Sequence, residues 1–418
     1  MKSWALNRDI VGNSYRFFNI ITPNHLKDIP VQAEDTVTFP ILFPKKIGII
    51  GYESKIILKC LVFKREDTKL SPITETDNIS FCEGAGDLLF ESLQLYIDDE
   101  CLNSLSTEQA LCKNILTRLP NNCTLRPNKS YLNFISEDKN LIHARDKCLD
   151  NKYYKDVLYH GKPVIMIRDL TDLPLFGVLD HVIPGALAMK ITCVFNNPTN
   201  WFTGDTANIV VFIEKMKLRL TTVEFTQKFI KKLKNRLTIT NIKLKGNLWH
   251  SQIYPLPHET RATFNIEIPD STDVIIFGLT NPLLRKKKAS LIHPFLMTWA
   301  NLQAIIVNDS AKNIIVQYDK LNSFGRSIVY TDILYKRSHS PFSDEQKREL
   351  DFDTFVSTWG TGVIPIFLNQ IKNKVQNVKD QYTIELFFKG IPPPDIKVIV
   401  ILRSYKEWYY NSYDHLTE

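Results

Sequence analysis

The chain has 418 residues, 44% of them hydrophobic and 23% charged, which excludes a disordered or fibrous protein. At about 100–200 residues per domain, that length points to two or three compact units, with two the simplest count. With 52 Lys and Arg against 45 Asp and Glu, the net charge of +7 permits an acidic or nucleic-acid partner without demanding one.

The first residues do not read as a secretory signal, because Asn7, Arg8, Asp9, Asn13 and Arg16 interrupt any apolar run. Residues 1–29 carry Trp4, Tyr15, Phe17 and Phe18 but few strand signals. They are expected to form an arm that packs on a neighbour or an inner-face partner. Beyond them, runs rich in β-branched and aromatic residues alternate with Asn, Asp, Gly and Pro clusters, the pattern of strands and turns. Strands are predicted over residues 56–63, 93–97, 164–167, 186–195, 209–220, 263–268, 274–277, 304–307, 314–318, 327–335, 382–388 and 396–402. In the fifth of these, Met216, Leu218 and Leu220 alternate with Lys215, Lys217 and Arg219, predicting one buried and one wet face.

Helix signals are few. Residues 106–119 have a Ser106 cap, Leu111, Ile115 and Leu119 on one face, and a stop at Pro120. Residues 225–237 and 343–350 are the other candidates. No stretch is apolar over the roughly 18 residues that a membrane-crossing helix needs. Many strands, few helices and no βαβ rhythm predict an all-β sandwich protein. An internal echo supports two copies of one unit. Residues 92–100 and 301–309 both read polar, Leu-Gln, apolar run, acidic turn, and Leu302 lies 209 positions after Leu93, half the chain length.

Chemistry-bearing constellations are missing from the sequence. There is no phosphate-binding glycine loop, dinucleotide fingerprint, HExxH zinc motif or GxSxG nucleophile elbow. The nine histidines are scattered, and His258-Glu259 lacks the partners of a zinc site. Asp98, Asp99 and Glu100 have cation-ligand chemistry but read as a solvated turn, and Asp351 and Asp353 would share one face of a strand. No catalytic, cofactor-binding or metal-binding residue is therefore assigned, and the expectation is a non-enzyme without cofactor or small-molecule substrate. The seven cysteines (60, 82, 101, 112, 123, 148, 193) are odd in number with no CxxC pair, which predicts reduced thiols and assembly inside the cell rather than secretion. Four Asn-x-Ser/Thr matches, at Asn78, Asn122, Asn128 and Asn308, read as chance. Two basic runs, 228–236 and 285–288, have the charge to touch phosphate, yet lack the interleaved aromatics of a single-strand platform.

In their order along the chain, five stretches resemble the double jelly-roll major capsid proteins of Polinton/Maverick elements, adintoviruses and virophages. They are residues 88–100 followed by 106–119; 179–202 leading into 209–223; 293–306; 352–368 with Gly360 and Gly362; and 382–402. The chain departs from the family pattern at His293, where Asn is usual, in the proline-rich link 392–394, and in the turn after Leu368, which lacks an acidic residue. The resemblance implies two tandem eight-stranded jelly-roll sandwiches with short helices in loops. It divides the chain into the arm 1–29, a first jelly roll over 30–238, a second over 239–410 and a tail over 411–418. It implies a structural protein whose homotrimers, pseudo-hexameric in outline, tile an icosahedral shell around double-stranded DNA in the virion. Its partners would be neighbouring capsomers, a penton or minor capsid protein, and packaged DNA contacted non-specifically. Two alternatives stand beside it: a double jelly-roll scaffold that shapes a membrane during assembly, and a carbohydrate- or receptor-binding β-sandwich.

Overall fold

The computed structural model describes residues 11–21, 29–44, 46–81, 85–106, 158, 161–177, 182–228, 230–231, 242–269, 271–280, 302–321, 329, 363–368, 380–392, 394 and 396–410. Alternating burial sets the first half. β1 (Val11–Ile21), β2 (Thr36–Ile41) and β3 (Ile47–Glu66) are followed by β4 (Lys69–Pro72), β5 (Ile79–Phe81), β6 (Phe90–Ile97) and β7 (Glu100–Ser106). Then come β8 (Val164–Asp169), β9 (Val182–Pro184), β10 (Met189–Phe195), β11 (Phe202–Gly204) and β12 (Ile209–Phe225). One sheet runs β1-β12-β3, with β4, β8 and β9 all pairing along the far edge of the long β3; a second runs β2-β10-β6-β7. Side chains of period two face each other between the sheets, with Phe39, Phe195, Leu95, Leu218 and Leu58 fully buried. The short β5–β11 pair closes one end, where Phe81 and Phe202 stack at 4.7 Å beside the buried Trp201.

The second half repeats the plan with fewer additions. β13 (Ile242–Pro255), β14 (Arg261–Ile268), β15 (Thr272–Thr280), β16 (Leu302–Asn308), β17 (Ile314–Tyr318), β18 (Val363–Phe367), β19 (Asp380–Phe388) and β20 (Lys397–Tyr410) follow in order. They form the sheets β13-β20-β15-β18 and β14-β19-β16-β17. If the short β4, β5, β9 and β11 are set aside, each half has eight strands. Both halves place the first, eighth, third and sixth in one sheet and the second, seventh, fourth and fifth in the other. The sequence echo falls where this symmetry requires. Leu93 lies on β6 and Leu302 on β16, each the fourth strand of its sandwich.

Most predicted strands appear. Met216, Leu218 and Leu220 are buried, while Lys215 is exposed and Lys217 and Arg219 are half-buried, as their alternation requires. Four readings need correction. Residues 11–21 are not part of a separate arm: they form β1, which pairs along β12 from Phe225 to Lys217, so nonlocal hydrogen bonding supplies what local strand signals lacked. Ser106 ends β7 instead of capping a helix, and 107–119 lie outside the described residues. Phe225 ends β12; Gln227, Lys228, Ile230 and Lys231 are helical, and the rest of that basic run is outside the described residues. The strand predicted over 327–335 is described only at Val329, which is helical, and the helix predicted over 343–350 is outside the described residues.

Candidate functional site

The residues singled out by charge form no reactive cluster where they are described. Asp98 and Asp99 occupy a tight β6–β7 turn at φ 48° and 67°. Asp99 is paired to Lys190 at 2.6 Å, a hydrogen bond that holds its carboxyl below the usual range. This is a turn tied to the neighbouring strand β10. His258 and Glu259 are exposed between β13 and β14. Among the described residues no three His, Cys, Asp or Glu side chains gather as metal ligands. Asp351, Asp353, His293, the basic run 285–288 and four of the seven cysteines are outside the described residues. Cys60, Cys101 and Cys193 are free thiols. Burial pushes Cys60 up to about 12 and raises Cys193 as well, so both are packing residues and poor nucleophiles.

What the fold does build is a set of side surfaces. The segment after β8 is pinned from beneath by Arg168, which is buried and lies 3.3 Å from Asp87, hydrogen-bonds Asp172, and donates to the Asp169 carbonyl at 2.7 Å. Burial disfavours the Arg168 charge, but Asp172 and Asp87 outweigh it and raise its pKa. Anchored in this way, with Leu173, Leu175 and Phe176 buried, the segment carries Pro174 to the second sandwich. There the Asn247 N–H donates to the Pro174 carbonyl at 3.2 Å. A Cβ at Gly246 would stand 2.2 Å from the same oxygen, so glycine is needed for the two backbones to approach. β7 lies beside β13 at this junction, in separate sheets. The two sandwiches therefore meet side by side, the fifth-strand edge of one against the first-strand edge of the other.

The opposite flanks are free among the described residues. On the first sandwich, β1 is the last strand of its sheet, with Phe17 59% and Phe18 52% exposed and Leu42 71% exposed just after β2. Phe18 meets Phe43 edge-on at 5.0 Å, and the Arg219 guanidinium covers Phe17 at 3.9 Å. On the second sandwich, β17 is the last strand of its sheet and Ile314 is 59% exposed. A third surface is the outer face of the sheet holding β3 and β12, where Lys59 lies directly opposite Lys215 and Lys55 opposite Arg219. Glu214 bridges Lys59 at 2.8 Å, and Asp169 lies opposite Lys55 on the other side. The alternating cations of β12 were legible in the sequence. Their opposition to Lys55 and Lys59 was not, because register is nonlocal.

No protein-family model matches the sequence, and no curated protein matches it. Solved structures do. The chain is similar to the faustovirus major capsid protein, at 10% identity and TM-score 0.56, over 96% of this chain and 91% of that one. It is similar to a chain of the Sputnik virophage structure at 10% identity and TM-score 0.56, over 99% and 89%. It is also similar to the mavirus major capsid protein at 9% identity and TM-score 0.54, over 95% and 88%. The strand order of both halves and this end-to-end coverage decide the fold. It is a double jelly roll. The double jelly roll accounts for the repeated strand order and for the half-length echo.

Proposed function

We propose that the chain is a structural major capsid protein whose trimers, six sandwiches in outline, tile an icosahedral shell around double-stranded DNA. One observation carries the reading: two sandwiches sharing one order of eight strands stand side by side in one chain, each with a flank that is open among the described residues and corresponds in position to the junction between them. A heterologous contact of this kind closes into a ring when its rotation allows, and three such chains supply six quasi-equivalent units. The virophage and large-virus capsid proteins that share the fold over nearly their whole length support the same role, and a Polinton-like origin is compatible with them. In this reading the protein is non-enzymatic and resides in the virion. It meets a penton or minor capsid protein at the fivefold positions and touches packaged DNA without sequence preference. In this reading the first unit ends at residue 238 and the second begins at 239. Light scattering and negative-stain microscopy of the purified chain test it. Three-chain particles of hexagonal outline are expected, and a single-chain mass at micromolar concentration would refute it.

A further inference from the structure

The outer face of the sheet that holds β8, β3 and β12 carries two chemistries in register. Strand pairing aligns Ile165 with Lys59 and Lys215 in one row, and Ile167 with Ile57 and Lys217 in the next. A third row aligns Asp169 with Lys55 and Arg219. Rows lie about 7 Å apart along the strands, and neighbours about 4.8 Å apart across them. An apolar stripe of three isoleucines therefore runs beside a cationic block. Ile165 is 47% exposed, Lys215 is exposed, and the other members are half-buried, so all of them reach the surface. Like charges directly opposite one another are destabilising, yet this face keeps two such pairs, Lys59 with Lys215 and Lys55 with Arg219. Glu214, 2.8 Å from Lys59, and Asp169, opposite Lys55, offset part of that repulsion. Over these rows five cations stand against two carboxylates.

We propose that this face docks an acidic protein partner other than this chain, with carboxylates over β12 and apolar side chains over the isoleucines of β8 and β3. Charge complementarity calls for an anion, and the apolar stripe decides its class. A phosphate backbone gains nothing from three isoleucines, and single-strand platforms set aromatic faces among their cations. Phe17, beside this face on β1, is already covered by the Arg219 guanidinium at 3.9 Å. A protein surface, by contrast, offers carboxylates and apolar groups at the spacing of these rows. A second copy is a poor counterpart, because the chain itself carries a charge of +7. The face belongs to one sandwich, so the inference does not rest on the trimer reading.

Fluorescence anisotropy on the purified full chain tests it, with a labelled peptide in which Glu alternates with Leu. The comparators are a Glu-Ser peptide of the same length and a single-stranded DNA of equal charge. The Glu-Leu peptide should bind more tightly than either and lose affinity as salt rises. The double change Lys55→Ala with Lys217→Ala should weaken its binding by about tenfold. Ile165→Ser should weaken the Glu-Leu peptide and leave the Glu-Ser peptide unchanged. Circular dichroism and thermal unfolding are the fold controls, and if the double variant does not fold, Ile165→Ser with the three probes decides. DNA bound as tightly as the Glu-Leu peptide, an Ile165→Ser chain that binds that peptide unchanged, or a wild-type chain that binds no probe would each overturn the proposal. A folded Lys55/Lys217 variant of lower mass than the wild type in light scattering would assign the face to a second copy and overturn it too. A single-chain mass for the wild type removes the trimer reading and leaves this one standing.

Discussion

The sheet built on β3 and β12 in the first sandwich and its counterpart built on β15 and β20 in the second share one topology but not one environment. In the first, inward Ile56, Leu58, Met216 and Leu218 alternate with outward Lys55, Lys59, Lys215 and Lys217. In the second, Val274, Ile275, Ile276 and Phe277 are all buried, as are Val398 to Leu402, so these stretches of β15 and β20 are removed from water on both faces. The sixth strands differ too. β8 turns Val164, Met166 and Arg168 inward, whereas β18 turns Ile364 and Ile366 inward, with buried Leu368 just beyond. Strand order therefore constrains where a chain goes, while the number of apolar faces follows from what stands on either side of the sheet.

The largest effect comes from making the first sandwich imitate the second. Arg168→Leu strands Asp87 and Asp172 in the interior and should cost about 3–5 kcal/mol. The triple change with Asp87→Leu and Asp172→Leu removes the uncompensated charges and should recover much of that loss. Chemical denaturation measures both, and a triple variant no better than the single one contradicts the account.

Ile276→Ala in the doubly buried sheet should cost about 2–5 kcal/mol. Lys217→Ala, on the outer face of the corresponding sheet, should change stability by less than about 0.5 kcal/mol. Equal effects would mean that the two sheets are not different in environment. Gly246→Ala tests the junction between the halves. With the Pro174 oxygen in the way, a loss of about 1–3 kcal/mol is expected, and a neutral result would show that the two sandwiches are loosely apposed.

Lys215→Glu replaces a like-charge pair opposite Lys59 with an opposite-charge pair and should stabilise the monomer by about 0.2–1 kcal/mol. A loss of stability would indicate that Glu214 already saturates Lys59. The last contrast is a similarity in acid. Asp77 in the first half is raised by burial but lowered further by its bonds to Lys64 and Thr74, while Asp309 in the second is lowered by Asn313. Each has a folded pKa below its unfolded value. Each therefore contributes stability above the unfolded carboxylate range, near about 4, that is lost as pH falls through the folded value. Asp77→Asn and Asp309→Asn should each flatten the acid limb of the stability profile, followed by urea titration from neutral pH downwards.

The sequence by itself determined where most core strands lie, because a strand's burial pattern is written in a period of two. Met216, Leu218 and Leu220 against Lys215, Lys217 and Arg219 show this. It also held the duplication, through the matched segments around Leu93 and Leu302. Only the tertiary structure decided that Val11–Ile21 is a sheet strand, since its polar and aromatic residues follow no clean alternation and its order comes from pairing with β12. The same holds for the opposition of Lys59 to Lys215, the approach of Gly246 to Pro174, and the choice of free flanks. Each depends on residues far apart in the chain, and local sequence carries no record of which backbone will stand beside it.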